Sequence, residues 1–401
     1  MNQKVLIIGG GLTGLFHAYA ENKKGNFVTI WEKSNQLGGL VSTKKVNEGL
    51  VELAANGILF TKNLKILLDD INLIPLSPNR ESKRRLIWDG KKCQSIIFFA
   101  LVLVFKFRSI FIRKISSKPG QNLYFFFEEY FGEWVTKFIL EPAIGGIYGA
   151  TLSDLSPKIV FSNWDFSGKK SIFQNIRISL KSKKGTISFQ NGMGELVEKL
   201  EEHLKNKIHI EYNKSINHID QIPKESGKIF FCIPLEEIKR ILSPWLPLDI
   251  RPTTHSVTTI TRFSKDRTTE KKAFGILFPR NTNISAFGML QNSDIFAYRS
   301  NNNLNSETWI FPHVKKKPES EWLRFMEDDR KTIYPNSKEA ENSYIKIWEN
   351  TFPVYNNHLY DFNLFLDQFE KDHSQKNFSI MFNGNYRRGI GLSAILDRAL
   401  S

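Results

Sequence analysis

Cysteine is almost missing: 401 residues contain two, Cys93 and Cys232. Two distant thiols form no disulfide framework and have no metal-ligand spacing, and their scarcity points to the reducing cytosol. The eight histidines are scattered, and neither an HExxH pair nor a His/Cys cluster with zinc spacing occurs. The Gly-x-Ser-x-Gly elbow of serine hydrolases and the GxxxxGK[ST] loop of nucleoside triphosphatases are also absent. RNA-binding signatures are lacking, so nucleic acid is not an expected partner. No apolar run reaches the ~20 residues of a membrane-spanning helix. The apolar start at residue 5 runs straight into glycines, as a first strand does and a secretory signal does not. Acid is under-represented, with Lys+Arg 56 against Asp+Glu 41, a net charge of +15 and a pI near 9.5. That balance favours anionic partners such as acidic lipid or a carboxylate-bearing small molecule.

What is present is concentrated first in Lys4 to Glu32. An apolar run, Val5–Ile8, leads into Gly9-x-Gly11-x-x-Gly14, a helical pattern over about 12–24, a second apolar run at Phe27–Trp31, and then Glu32. This is the strand–turn–helix–strand order of a dinucleotide site. Gly9 permits the tight turn, Gly11 lets backbone approach a diphosphate, and Gly14 lets helix and strand pack closely. The helix N-terminus offers free N–H groups to phosphate. Glu32, 18 residues beyond Gly14, stands where a carboxylate accepts hydrogen bonds from a ribose.

Gly38-Gly39 adds a second backbone approach just after that acid. With it, the chain resembles the FAD enzymes of the amine oxidase and protoporphyrinogen oxidase superfamily. Further matches carry the resemblance: Pro142, Gly146, Tyr148, Leu155 and Ser156; the turn at Asn191–Met193; the strand ending in Pro279-Arg280; Phe296 to Arg299; and Trp348 to Tyr355. The tail Phe378–Ala399 adds Gly384-Asn385, Gly389 and Gly391 before a helix. The resemblance implies an α/β fold, a glycine-turn (Rossmann-like) FAD-binding domain interleaved with a mixed α+β substrate-binding domain. The FAD unit would combine 1–60, 186–235 and 346–401, and the substrate unit 61–185 and 236–345.

The same resemblance implies FAD held by Gly9, Gly11, Gly14, Glu32, Gly38, Gly39, the backbone at Ile216, and Gly384, Asn385 and Gly391. Leu59, Phe274, Leu277 and Arg280 would line the substrate pocket. The chemistry would be hydride removal to flavin N5 from a porphyrinogen, with O2 as acceptor, and no catalytic acid or base is assigned. Ala54-Ala55 stand where Gly-Pro is usual, and Leu59–Phe60 where porphyrinogen enzymes carry an arginine. These departures keep open an amine, a polyene or a sugar nucleotide as substrate, and also a non-catalytic flavoprotein or membrane-associated partner. Arg387 and Arg388 read either as substrate-facing or as solvent-facing. Arg84–Lys92 reads as strand–turn–strand, and 208–212 and 216–219 as strands. The apolar run 96–107, followed by Arg108, Arg113, Lys114 and Lys118, reads as a pocket-lining element or a peripheral contact with acidic membrane from the cytoplasmic side.

Overall fold

Strand Lys4–Ile8 is apolar at every position after Lys4 because it is buried on both faces. It pairs in parallel with Phe27–Trp31 on one side and Lys228–Phe231 on the other. His209–Glu211 and Ser379–Phe382 extend the same parallel sheet outward, giving the order 209–211, 27–31, 4–8, 228–231, 379–382. The computed structural model describes residues 2–95, 113–180, 184–223, 227–269, 271–280, 282–313, 317–375 and 378–401.

Helix Leu12–Lys23 covers one face of this sheet, with Leu15 and Phe16 fully buried. Leu64, Leu67, Leu200 and Leu396, from three further helices, close the same core. The other face packs Ile8, Ile229 and Phe231 against Ile238 of helix Leu235–Leu242 and against Phe362 and Leu366 of helix Asn357–Asp372. Each such buried side chain contributes roughly 2 kcal/mol of hydrophobic stabilisation.

The second sheet has seven strands, in the order 342–353, 254–264, 305–313, 288–290, 275–277, 85–88, 93–95. One face rests on helix Glu319–Ile333 through Ile260, Met289, Trp309, Phe311, Trp322 and Met326. The opposite face turns towards the glycine-turn unit. There Trp348 Nε1 donates to the carbonyl of Leu53 at 2.8 Å, and Tyr344 Oη donates to Glu48 at 2.8 Å. A cleft floored by this face therefore meets the segment that follows strand Gly49–Glu52.

Several expectations need revision. Helix Lys62–Asp70 packs in the core of the parallel sheet, beyond the boundary drawn at 60. Strand Asn342–Pro353 lies at the edge of the seven-stranded sheet, although 346 was read as re-entering the FAD unit. Residues 216–219 form no strand. Gln221 Oε1 takes the N–H groups of Asn217 and His218, so a 3-10 turn, Ile219–Gln221, satisfies the backbone locally. The hairpin near Asp89-Gly90 is present, as Arg85–Trp88 against Cys93–Ser95. The apolar run 96–107 lies outside the described residues. Among those described, no helix is long and apolar enough to cross a membrane.

Candidate active site

The turn after the first strand is set by contacts that only glycine allows. Gly9 has φ +103°, and a Cβ there would lie 2.5 Å from the Cys232 carbonyl oxygen. A Cβ on Gly14 would lie 2.0 Å from the carbonyl oxygen of Gly9, so helix and strand touch through bare backbone. Gly11 differs. It faces open space, and a Cβ would meet nothing nearer than Gly38 O and Gly39 Cα at 3.9 Å. The Gly38-Gly39 element lies against it, with Gly38 N–H donating to Gly10 O at 2.9 Å. No side chain caps helix Leu12–Lys23, and its first turn carries no acid. Free N–H groups and the positive dipole end therefore meet at the opening, and the cradle fits a diphosphate.

Glu32 is buried at the end of strand Phe27–Trp31. One carboxylate oxygen accepts the Gly10 N–H at 2.7 Å, and the other accepts Ser34 N–H and Oγ–H at 2.8 and 2.7 Å. One acceptor site remains for a ribose hydroxyl, on the oxygen that accepts from Gly10. Ile216 is buried beside this corner, and its carbonyl accepts from Arg240 at 3.3 Å.

The tail arrives at the same place, because strand Ser379–Phe382 belongs to the same sheet and helix Leu392–Leu400 packs on helix Leu12–Lys23. Gly391, the first residue before that helix, has nothing within 4 Å of a built Cβ, and the first helical turn holds no acid. Gly384 and Asn385 belong to a turn clamped by side chains distant in sequence. Arg398 donates to Asn383 Oδ1, Arg388 O and Gly384 O at 2.9, 2.5 and 3.0 Å. Tyr355 Oη donates to Asn385 O and Arg387 O at 2.5 and 3.1 Å. Arg387 is buried and pairs with Asp367, whereas Arg388, which pairs with the same carboxylate, is exposed to solvent.

A second hub was missed as well. Glu52 is buried and accepts from Thr43 Oγ1 at 2.6 Å and Met193 N–H at 2.9 Å, with Arg299 3.8 Å away. Arg299 in turn donates to Ser188 Oγ at 2.6 Å and Phe189 O at 3.2 Å. Burial pushes the Glu52 carboxyl up and the Arg299 guanidinium down. The pair ties the hairpin beside Gly38-Gly39 to the turn opening helix Gly194–Leu204. In that turn Asn191 keeps an ordinary φ, and the positive φ falls on Gly192 at +89°.

On the substrate side, Leu59 is partly exposed, and its carbonyl accepts from Ser393 Oγ at the start of the tail helix, at 3.0 Å. Leu277 lies against Gly146 and packs with Ile87, Val135 and Ile139. Phe274 carries the Arg85 guanidinium 4.1 Å above its ring. Arg280 stacks 3.5 Å over Phe287 without an ion pair among the described residues. Burial lowers it to about 10, against longer-range help from Glu141 and Asp154. No group of three or more His, Cys, Asp or Glu among the described residues could hold a metal.

Comparison with known proteins agrees with this geometry. Residues 7–71 match the family model of an NAD(P)-binding Rossmann-like domain. A coproporphyrinogen III oxidase of Staphylococcus aureus is 28% identical over 280 residues, which span 59% of this chain and 59% of that protein. A chloroplastic/mitochondrial protoporphyrinogen oxidase 2 of Arabidopsis thaliana is 22% identical over 97% of this chain and 91% of its own. A solved Exiguobacterium structure, provisionally named a protoporphyrinogen oxidase, superposes with a TM-score of 0.75 at 18% identity, covering 100% of this chain and 97% of that one. The chain is thus similar in sequence to coproporphyrinogen and protoporphyrinogen oxidases, and it shares the fold of that solved structure.

Proposed function

We propose that this chain binds FAD and oxidises a porphyrinogen of the coproporphyrinogen or protoporphyrinogen class. The supporting observation is a cofactor cradle on one wall of a cleft, with two cations on the lobe forming the other, Arg85 and Arg280, that make no ion pair among the described residues. Bound FAD supplies a two-electron acceptor that O2 restores. The chain's own residues do the rest. Gly11 and Gly38-Gly39 admit the diphosphate, the start of helix Leu12–Lys23 offsets its charge, and Glu32 holds the ribose. Asn385 and Gly391 border the ring end, where the start of the tail helix favours negative charge. Leu59, Phe274 and Leu277 give the pocket apolar walls that exclude water, and Arg280 draws a substrate carboxylate.

The test is an absorbance spectrum of purified protein, followed by anaerobic mixing with coproporphyrinogen III or protoporphyrinogen IX. The expected result is a yellow protein bleached by a porphyrinogen, with porphyrin fluorescence appearing. A colourless protein defeats the cofactor assignment. Bleaching by an amine or a sugar nucleotide alone defeats the substrate assignment, and Ala54-Ala55 and Leu59–Phe60 are the departures that would then explain it.

A peripheral contact with acidic bilayer is part of the same proposal. The lobe 113–180 exposes Phe125, Ile147 and Ile176, at 59%, 65% and 38%, and carries Lys114, Lys118, Lys169, Lys170 and Arg177. Co-sedimentation with phosphatidylserine vesicles, and none with neutral vesicles, is the expected result.

A further inference from the structure

The cleft-facing side of the seven-stranded sheet contains one continuous cross-strand row. Lys346 stands opposite Thr259, Thr259 opposite Ile310, Ile310 opposite Gly288, and Gly288 opposite Leu277. Directly paired residues share a face, so all five look into the cleft. The row spans four strand spacings, about 19 Å. Its middle is low, with a threonine and a glycine, and its Leu277 end is apolar. Its other end is a lysine.

Lys346 is half-buried, yet no carboxylate pairs with it among the described residues. Its ammonium lies 4.3 Å above the ring of Trp348. Trp348 is held in turn by its Nε1 bond to Leu53 O, immediately before the Ala54-Ala55 turn. Two side chains beside it are occupied: Tyr344 is bonded to Glu48, and Lys44, on strand Thr43–Val46, lies over Tyr344. A partly desolvated ammonium, fixed in direction by an indole and lacking a counter-ion, is arranged to receive an anion.

We propose that Lys346 is a second carboxylate-recognising residue of this pocket beside Arg280, supplying the cation that is lacking at Leu59–Phe60. A substrate with a flat apolar body and a carboxylate rim would lie along the row, its body over Thr259, Ile310 and Gly288, with one carboxylate at Lys346. This assignment rests on the porphyrinogen reading above and goes further by naming a second determinant of substrate charge.

The test uses FAD-loaded Lys346→Met and Lys346→Arg proteins, with coproporphyrinogen III and its tetramethyl ester as substrates. Lys346→Met is expected to keep its flavin spectrum and to raise KM for the free acid about tenfold. It should leave KM for the ester unchanged, and Lys346→Arg should restore the acid. Quenching of tryptophan fluorescence by coproporphyrin III should weaken in parallel. Wild-type turnover with the same acid-to-ester ratio in Lys346→Met overturns the lysine assignment alone. A wild-type flavin that no porphyrinogen bleaches overturns the porphyrinogen reading and this assignment with it.

Discussion

Gly14 and Gly9 meet with no room between them: a methyl on Gly14 would sit 2.0 Å from the Gly9 carbonyl oxygen. Neither partner can yield, because one is helix backbone and the other is the end of a central strand. Gly14→Ala should therefore behave as overpacking against backbone, costing about 3 kcal/mol or more, and should displace the helix start from the diphosphate. Thermal unfolding and the flavin-to-protein absorbance ratio would both fall. A variant that folds and stays fully yellow would contradict the close-contact account.

Glu32 tests the other end of the cofactor. Glu32→Gln keeps an acceptor for the Gly10 N–H but removes the charge from any ribose hydrogen bond. A loss of about 1.4 kcal/mol, or tenfold in FAD affinity, is expected from the charge-assisted bonds. Rebinding of FAD to the apoprotein, followed by flavin fluorescence quenching, measures it. The amide has one acceptor where Glu32 serves both Gly10 N–H and Ser34 N–H, so apoprotein melting should fall by a few degrees as well. FAD affinity is therefore compared at a temperature where both proteins are folded.

Histidine 17 couples acid to the tail. It is buried in helix Leu12–Lys23, and Asn383 Nδ2 donates to its Nε2 at 2.8 Å, so that nitrogen must carry no proton. Burial chiefly lowers it to about 3, with Glu21 opposing and Arg398 and Lys24 adding to the effect. A histidine lowered in the fold contributes stability that is full above its ordinary value, 6.5, and is lost as pH falls towards the folded value. The contribution is on the order of 5 kcal/mol at most. Stability and flavin retention should therefore decline together between about pH 6.5 and 3. His17→Gln, which keeps an acceptor for Asn383, should flatten that decline, as read by urea midpoints at several pH values.

How far the sequence anticipated this molecule depends on the range of the interaction. Gly9, Gly11, Gly14 and Glu32 were legible because their spacing is local and each type has a steric or charge reason to be there. The strand pair flanking Asp89-Gly90 was legible for a similar reason, since the turn dipeptide is local. Partners far apart in the chain were not: Trp348 with Leu53, Arg299 with Glu52, and Arg398 with the 384–388 turn are set by tertiary folding. Arg387 reads as substrate-facing or solvent-facing because its partner Asp367 lies 20 residues away, on helix Asn357–Asp372. Residues 216–219 read as a strand because a short segment bounded by Ile216 and Ile219 does not reveal that Gln221 will take the backbone donors.

Arg398 gives the sharpest distinction between holding FAD and shaping its ring environment. Its three donors fix the carbonyls of Gly384 and Arg388 and the amide of Asn383, all on the tail turn. None of these bonds touches the glycine cradle at residues 9–14. Removing them should cost roughly 2–3 kcal/mol, since charged donors to buried acceptors are lost and a carbonyl is left unsatisfied. Arg398→Ala should accordingly lower the melting temperature by several degrees. It should retain adenine-end binding, and so remain yellow at high FAD, while the rate of flavin bleaching by substrate falls more than affinity does. Arg398→Lys, which can make only part of the fork, should lie between the two. Stopped-flow reduction set beside FAD titration checks this, and equal losses in both would mean that the tail turn supports binding alone.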